Sequence, residues 1–337
     1  MKITTIGLDL AKHVFHLVGL DEHGKVVKKK MLRRNQLRTY FAQLPACRIG
    51  MEGCASSHYW ARELMALGHQ VDLIAAQHVK AFVCGNKNDY NDALAIAEAM
   101  GRPQLRRIDV KSIAQQDLQA LHRLRQGQIK ARTAHCNRIR GLLAEYGLIL
   151  PQGVNSLRRC LPELIADQTN GLSAFLRTLA YDSYEQLLAL DEQVNKLDQH
   201  VRQHSAQDDT VRRLQTIPGF GPMVASVFLS FIGSGQSYRC GRDVSASLGL
   251  VPRQHSSGGK SVLLGISKRG DRYVRCQLVH GARAVVRAAA KKSDRLSCWI
   301  QKLCAQRGVN RATVALANKL ARIGWAVVRQ HTCYQPA

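Results

Sequence analysis

Residues 3–9 read ITTIGLD, and this apolar, β-branched run that ends in an acid decides the fold of the first domain. Two further strand-like runs follow at residues 14–20 and 25–33, the second of them rich in charge, as edge strands often are. Tight turns separate the three runs, so the sequence predicts an antiparallel meander. The elements predicted next are a helix at 36–44, a strand at 48–52, a helix at 57–67, a strand at 70–75 and a helix that includes Asp92.

This order, β-β-β-α-β-α-β-α, is that of the ribonuclease H-like fold, an α/β architecture. In that fold the fourth strand pairs in parallel beside the first, which brings Asp9 and Glu52 side by side at the sheet centre. The helix after the fifth strand lays Asp89 and Asp92 over the same edge, three residues apart on one helical face. Like charges held so close are costly unless a cation neutralises them. The sequence therefore predicts a divalent metal site formed by four carboxylates.

Mg²⁺ (or Mn²⁺) suits such a site, because it binds carboxylate oxygens, keeps waters and accepts phosphate oxygens. Two such ions about 4 Å apart would clamp the attacking and leaving oxygens of a phosphodiester. Two simpler interpretations stay open. Asp89 could be the N-cap of its helix, with Asp92 completing a capping box. The first hairpin could also belong to an actin or sugar-kinase-like module, although residues 8–12 lack the Gly-rich turn with which that module holds phosphate.

Composition indicates a large chain with a nucleic-acid partner. Its 337 residues are 45% hydrophobic, enough for two or more cores, and no apolar run approaches the roughly 18–20 residues that span a bilayer. The ten cysteines form no CxxC pair, so we expect reduced thiols in a cytoplasmic protein. The net charge is +25, from 49 Lys and Arg against 24 Asp and Glu. Such an excess predicts a polyanionic partner, and nucleic acid is favoured over a membrane surface.

Residues 112–146 predict one long helix in a coiled-coil region, because apolar residues recur at helical spacing with only two interrupting glycines. Residues 118–144 lack acids, so this helix has a basic face that could follow a phosphate backbone. The candidate phosphate ligands on it are Arg123, Arg125, Lys130 and Arg132. A merely solvated face is the alternative, although such faces usually mix charge signs. A second helical region, 155–204, is either a returning helix or an oligomer contact.

Residues 216–225, TIPGFGPMVA, match the helix-hairpin-helix signature. In that motif Gly219 and Gly221 would let backbone N–H groups face a DNA phosphate. An ordinary turn between two helices is the alternative. The rest of the C-terminal segment has mostly helical periodicity. We therefore expect three domains, at residues 1–110, 111–205 and 206–337.

Residues 251–261, VPRQHSSGGKS, predict an exposed, electropositive loop. A P-loop is excluded, because its leading glycine would fall at Gln254. A serine hydroxyl here could attack phosphate once a base or a metal activates it, although composition alone favours a plain Gly/Ser turn. Further candidate nucleic-acid ligands flank the loop or follow it, the last two on a helix with a basic stripe: Arg253, Lys260, Lys268, Arg269, Arg272 and Arg275.

Taken in order, several motifs resemble one family, the DEDD transposases of insertion sequences, which are relatives of the Piv DNA invertases. The matching pieces are IGLDLAK at residues 6–12, ME at 51–52 with HYW at 58–60, NKNDYNDA at 86–93, IPGFG at 217–221, LGLVPR at 248–253, and SG at 257–258 with GISKRG at 265–270. They extend over nearly the whole chain. One departure is Gly53, which stands where alanine is expected after the acid, and it leaves the acid in place.

The resemblance implies a ribonuclease H-like (RuvC-like) domain whose metal-binding acids are Asp9, Glu52, Asp89 and Asp92. It also implies a C-terminal transposase domain with a nucleophilic serine, which falls on Ser257, with Ser256 as the neighbouring alternative. Members join DNA through a covalent phosphoserine intermediate, work as oligomers, and use a non-coding RNA of the element to specify both DNA partners. We therefore expect a bacterial, nucleoid-associated transposase or site-specific recombinase that binds DNA and a guide RNA as a homo-dimer or tetramer.

Two other functions remain open from the sequence. The chain could be a junction-resolving endonuclease that hydrolyses DNA with the four acids alone. It could also be a basic nucleic-acid-binding protein whose chemistry has decayed, although the presence of all four acids argues against this.

Overall fold

The computed structural model describes residues 2–86 and 88–336, which form two compact units. The first unit extends to Ser112 and includes Gly233–Arg239. The second comprises Ile113–Ile232 and the chain from Cys240 onward. The first boundary lies close to the one expected near residue 110, and the expected helical middle and C-terminal segments share the second unit.

A six-stranded sheet forms the centre of the first unit in the described part of the chain. Its strands are β1 (Thr5–Leu10), β2 (Val14–Leu20), β3 (Val26–Arg33), β4 (Arg48–Glu52), β5 (Gln70–Ile74) and β6 (Arg107–Ile108). Their order across the sheet is β3-β2-β1-β4-β5-β6. The meander β1-β2-β3 is antiparallel, β4 is parallel to β1 and β5, and β6 is antiparallel to β5. The predicted meander and the predicted parallel pairing of β4 with β1 are therefore confirmed.

Helices cover both faces of this sheet: α1 (Leu37–Ala42), α2 (Ser57–Ala66), α3 (Ala76–Val79) and α4 (Asp89–Met100). On one face Phe15 of β2 and Trp60 of α2 belong to a buried apolar core. On the other face α4 approaches the sheet closely, because Gly7 of β1 carries no side chain. A Cβ atom at Gly7 would lie 1.9 Å from the carbonyl oxygen of Ala93. This contact holds the first turn of α4 over the end of β1.

The second unit is mostly helical. Its elements are α5 (Ile113–Ala144), α6 (Val154–Ala166), α7 (Ala174–Gln207), α8 (Asp209–Leu214), α9 (Pro222–Ile232), α10 (Gly241–Ser247), β7 (Pro252–Ser257), β8 (Lys260–Ile266), α11 (Arg272–Ala289), α12 (Arg295–Arg307) and α13 (Val309–Gln330). Strands β7 and β8 pair only with each other, as an antiparallel hairpin. Within the described residues, no helix is long and apolar enough to cross a membrane.

Helices α5 and α7 pack against each other in antiparallel directions. Arg125 of α5 pairs with Asp198 of α7, and Arg132 pairs with Asp191 at 2.7 Å. The two arginines are seven residues apart on α5, and the two aspartates are seven residues apart on α7. Both arginines therefore lie on the face of α5 that meets α7. The second helical region therefore returns along α5, and the oligomer contact that the sequence left open as the alternative stays a prediction. Coiled-coil geometry for this pair stays a prediction.

Candidate active site

Three carboxylates meet over the end of β1. Asp9 is the penultimate residue of that strand, and Asp89 and Asp92 lie in the first turn of α4. One oxygen from each lies within 4.8 Å of the other two. The cap of α4 is Asn88, whose side-chain oxygen accepts a hydrogen bond from the backbone N–H of Tyr90 at 2.8 Å. The N-cap interpretation of Asp89 is therefore wrong, and its carboxylate does not cap the helix.

Glu52 is the last residue of β4, next to this cluster. The register pairs Leu8 with Met51 across the parallel strands, so Glu52 follows beside Asp9. Glu52 is not one of the three acids whose oxygens meet within 4.8 Å. Its negative charge nevertheless helps to raise the pKa of Asp9.

The cluster is electrostatically costly without a cation. The pKa of Asp9 is raised to about 6, first by burial and then by the charges of Asp92, Asp89 and Glu52. Burial, followed by the charge of Asp92, also raises the pKa of Glu52. Ionisation of Asp9 and Glu52 is therefore opposed by burial and by neighbouring negative charge, and a bound cation would relieve both effects.

His16 belongs to the same site, although no sequence pattern indicated it. Its Nδ1 lies 3.3 Å from Oδ2 of Asp89, and its ring packs edge-on against Tyr90 at a centroid distance of 4.9 Å. His16 is also the register partner of Asp9 across the β1–β2 hairpin. The register that sets Leu10 opposite Phe15 also sets Asp9 opposite His16, and the sequence alone does not fix that register.

The residues present fit a divalent metal ion. All the donors are carboxylate oxygens, which hard divalent cations such as Mg²⁺ and Mn²⁺ prefer. Asp9, Asp89 and Asp92 would hold such an ion, with Glu52 next to them.

Ser256 and Ser257 lie near the tip of the β7–β8 hairpin. Gly258 and Gly259 form its two-residue turn, both with positive φ (54° and 76°), as tight hairpin turns require. Every residue of β7 is exposed. The predicted exposed loop is therefore a β-hairpin, and its exposure is confirmed.

The two serines lie on opposite faces of this hairpin. The Ser256 hydroxyl accepts a hydrogen bond from the side-chain amide of Gln254 at 2.7 Å. On the other face Ser257 follows His255 by two residues and pairs across the hairpin with Lys260. Among the described residues no hydrogen bond engages the Ser257 hydroxyl.

Most of the predicted phosphate ligands are exposed on the second unit. The exposed ones are Arg123, Lys130, Arg253, Lys260, Lys268, Arg269 and Arg272. Arg125 and Arg132 have a different immediate role, because both pair with acids of α7. The predicted basic face of α5 is therefore partly taken up by its contact with α7.

Arg275 does not lie on the exposed basic stripe that was predicted for its helix. It lies on the face of α11 that also carries Val274 and Leu278, and all three are buried. Its Nη1 donates hydrogen bonds to the carbonyl oxygens of Leu248 and Arg269, both at 2.9 Å. The guanidinium therefore ties together the segments before and after the hairpin instead of extending an exposed basic stripe.

The turn between α8 and α9 packs on α11. Gly219 has φ +85°, and a Cβ atom there would lie 2.7 Å from the carbonyl oxygen of Gly281. Gly221 faces open space. Close packing against α11 thus explains why residue 219 is glycine. Phosphate binding by this turn stays a prediction.

A carboxylate cluster on a sheet of this strand order, in a chain of net charge +25, indicates an enzyme that acts on nucleic-acid phosphates. The family model for the DEDD transposase of IS110 elements matches residues 6–148. The model described as "Transposase IS116/IS110/IS902 family" matches residues 211–297.

Three similar proteins extend this match over the full length of the chain. "Probable family 20 transposase" of Pseudomonas aeruginosa is 47% identical over 337 residues, covering 100% of both chains. "Transposase for insertion sequence element IS1111A" of Coxiella burnetii is 42% identical, covering 99% of this chain and 92% of that one. "Transposase for insertion sequence element IS1328" of Yersinia enterocolitica is 39% identical, covering 98% of each.

The chain belongs to the IS116/IS110/IS902 family of transposases. It is a DNA strand-transfer enzyme, as the sequence predicted, and it acts on DNA. The DEDD transposase domain implies a divalent metal ion.

Proposed function

We propose that this transposase joins DNA strands through a phosphoserine intermediate on Ser257, with Mg²⁺ held by Asp9, Glu52, Asp89 and Asp92. The observation that carries the metal half of the proposal is the meeting of three carboxylate oxygens within 4.8 Å at the end of β1. The serine half rests on the family resemblance and on the exposed position of the hairpin.

The acids are oriented before any substrate binds. The pairing of β1 with β2 and β4 fixes Asp9, and the first turn of α4 fixes Asp89 and Asp92. His16 contacts one oxygen of Asp89 and so restrains that carboxylate. Mg²⁺ bound here would neutralise the carboxylates and polarise the non-bridging oxygens of the scissile phosphate. Such preorganisation lowers the barrier, because little reorganisation remains for the transition state.

Ser257 carries the phosphate between two DNA strands. Its Oγ loses a proton and forms a bond to phosphorus, while the bond from phosphorus to the leaving strand breaks and that oxygen gains a proton. A hydroxyl of the second strand then loses its proton and attacks the same phosphorus, and the Oγ–phosphorus bond breaks as the serine oxygen gains a proton. The number of phosphodiester bonds is unchanged, so the reaction needs no external energy source.

The two faces of the hairpin favour Ser257 over Ser256. Ser257 shares its face with His255 and Lys260, which offer a base and a cation near the hydroxyl. Ser256 is already hydrogen-bonded to Gln254 on the opposite face.

A homo-oligomer and a guide RNA complete the proposal. Exposed apolar side chains lie at the end of the helical pair where α5 finishes and α7 begins, among them Ile149 (81% exposed) and Phe175 (74% exposed). Apolar residues grouped in this way are typical of a protein contact. The net charge of +25 supports a large nucleic-acid partner. RNA that copurifies with the chain and is destroyed by ribonuclease would support the guide, and its absence would remove that part of the proposal.

Formation of a covalent protein–DNA adduct tests the serine. With DNA carrying the element ends and Mg²⁺, Ser257→Ala is expected to abolish the adduct that wild type forms. Ser256→Ala is the matched control, expected to retain the adduct because its hydroxyl lies on the other face.

The same assay separates strand transfer from the alternative, a hydrolytic junction-resolving endonuclease. Unimpaired metal-dependent cleavage by Ser257→Ala would favour hydrolysis by the acids alone. Loss of both adduct and cleavage in Ser257→Ala supports strand transfer.

A further inference from the structure

A groove opens on the first unit at the same edge of the sheet as the carboxylates. Its volume is 540 Å³, within the range of about 300–1,000 Å³ typical of ligand pockets. We call it the Tyr59 groove, and its polar and aromatic lining residues are His13, Arg33, Arg34, Asn35, Tyr59 and Trp60.

The groove and the carboxylates lie on opposite faces of this edge. Trp60 of α2 packs with Phe15 on the face that α1 and α2 cover, whereas Asp9 faces α4. Asp9 and His13 are four residues apart, so their Cα atoms lie within about 14 Å of each other. A stacked nucleic-acid strand covers that distance in roughly four nucleotides at about 3.4 Å each.

The lining of the Tyr59 groove is cationic and aromatic. It contains two arginines and a histidine but no acid. In the described part of the chain neither Arg33 nor Arg34 takes part in an ion pair. Tyr59 is 42% exposed although it is a large aromatic residue. An exposed aromatic ring beside unpaired arginines is the combination that binds bases by stacking and phosphates by charge.

Ring contacts and one backbone hydrogen bond preform the groove. Trp60 is only 4% exposed, and its ring meets those of Phe15 and Tyr59 at centroid distances of 5.5 and 5.0 Å. The Arg34 guanidinium lies 5.3 Å from the centroid of Trp60. The backbone N–H of Arg34 donates to the carbonyl oxygen of His13 at 2.9 Å, which joins two walls of the groove.

We infer that the Tyr59 groove binds an unpaired nucleotide of the DNA strand whose phosphodiester lies at the carboxylates. The nucleotide must be unpaired, because a base inside a duplex offers no free face to Tyr59. DNA is the source, because the groove lies within a few nucleotides of the site where DNA is cut. The placement relative to the cut rests on the function proposed above, whereas nucleotide binding by the groove does not.

Binding of a fluorescein-labelled thymidine decamer to the full chain in EDTA tests the groove. Tyr59→Ala is expected to raise Kd at least about 5-fold, the lower end for loss of one stacked base. Tyr59→Phe should restore the affinity, since it keeps the ring. Arg33→Ala should lower the slope of log Kd against log salt by about 0.7, the value for one phosphate on a single strand. Lys29→Ala, an exposed cation outside the groove, is the matched control and should bind within about twofold of wild type.

Photocrosslinking locates the bound base. A decamer with one 5-iodouracil should crosslink to the peptide that contains Tyr59 or to the one that contains His13. Crosslinks elsewhere, with unchanged Kd for Tyr59→Ala, would overturn the inference. If a uridine RNA decamer binds more tightly than the thymidine decamer, and Tyr59→Ala loses that binding too, the assignment to DNA is overturned.

Asp9→Asn separates this inference from the proposed function. It should bind the decamer in EDTA at least as tightly as wild type does, because it loses a negative charge, and yet lose strand transfer. If Asp9→Asn retains strand transfer while Tyr59→Ala loses decamer binding, the metal proposal fails and the groove stands. If Asp9→Asn loses strand transfer while Tyr59→Ala binds normally, the groove fails and the metal proposal stands.

Discussion

The carboxylate edge of the first unit and the serine hairpin of the second unit differ in how much of each the fold fixes. Asp9, Asp89 and Asp92 stand on a strand and a helix held together by a close contact at Gly7, and their oxygens already meet. Ser257 stands on a two-stranded ribbon that is almost wholly exposed, with Leu263 on its second strand 65% exposed. An isolated two-stranded hairpin is only marginally stable in water.

Because of this difference, metal binding and serine chemistry should depend on different partners of the chain. Metal binding is expected to be a property of the chain alone, because its donors are in place. Serine chemistry is expected to depend on whatever covers the hairpin, whether DNA or another protein surface. Experiments on the chain by itself therefore address the acids, and experiments with DNA are needed for the serine.

The largest effect is expected at the carboxylates during strand transfer. Asp92→Asn removes one charge and one ligand, and should slow strand joining by about 10³-fold, equivalent to about 4 kcal/mol in the barrier. Joined DNA product per unit time is the measurement. Glu98→Gln, an exposed acid on the same helix outside the cluster, is the control and should leave the rate within about twofold of wild type.

Gly7→Ala tests whether close packing positions the acids. A Cβ atom would lie 1.9 Å from the carbonyl oxygen of Ala93, so α4 must move away, at a cost of about 3 kcal/mol in the free energy of unfolding. Hydrogen exchange of β1 amides should detect this loss.

Gly127→Ala provides the contrasting case in the second unit. It lies in the middle of α5, where a Cβ atom would meet nothing within 4 Å. It should stabilise that helix by up to about 1 kcal/mol. Equal tolerance of alanine at Gly7 and Gly127 would contradict the packing account.

Asp9 in the first unit and His122 in the second should contribute to stability with opposite pH dependence when no metal is present. Asp9 has a folded pKa of about 6, above its ordinary 3.8. Its contribution to stability is therefore complete below pH 3.8 and is lost as the pH rises through 6. His122, buried against Ser226 and near Arg125, has its pKa lowered from 6.5 to about 4 by burial and then by that charge. Its contribution, about 3 kcal/mol at most, is complete above pH 6.5 and is lost as the pH falls through 4.

Differences between wild type and single variants isolate these two groups. The free energy of unfolding of wild type minus that of His122→Asn, measured in EDTA, should rise between pH 4 and 6.5. The free energy of unfolding of wild type minus that of Asp9→Asn should fall as the pH rises from 3.8 to about 6. If the difference for His122→Asn does not change with pH, burial does not lower the pKa of His122.

The sheet could be predicted from the sequence because its evidence is local and ordered. Apolar runs with alternation mark the strands, and their succession allows few topologies, so Asp9, Glu52, Asp89 and Asp92 could be assigned to one edge. The two-residue strand β6 is too short to leave such a pattern. The sequence left Asp89 open as the N-cap of α4, and the cap lies one residue earlier, at Asn88, because Asn and Asp are both good cap formers.

Other features depend on tertiary contacts that no local pattern contains. Arg275 lies among exposed arginines in sequence, but the orientation of α11 against the segments around the hairpin turns it inward. Arg125 and Arg132 look like free cations until α7 supplies their acids. His16 becomes part of the site only through the hairpin register and the approach of α4.

Binding of Mn²⁺ to the free chain, followed by electron paramagnetic resonance without nucleic acid, tests the central claim most directly. Wild type should bind Mn²⁺, and Asp21→Asn, which alters a partly exposed acid at a turn of the same unit, should bind equally well. Asp9→Asn should bind at least about tenfold more weakly. Mn²⁺ binding by Asp9→Asn that equals that of wild type would contradict the assignment of these carboxylates as the metal site.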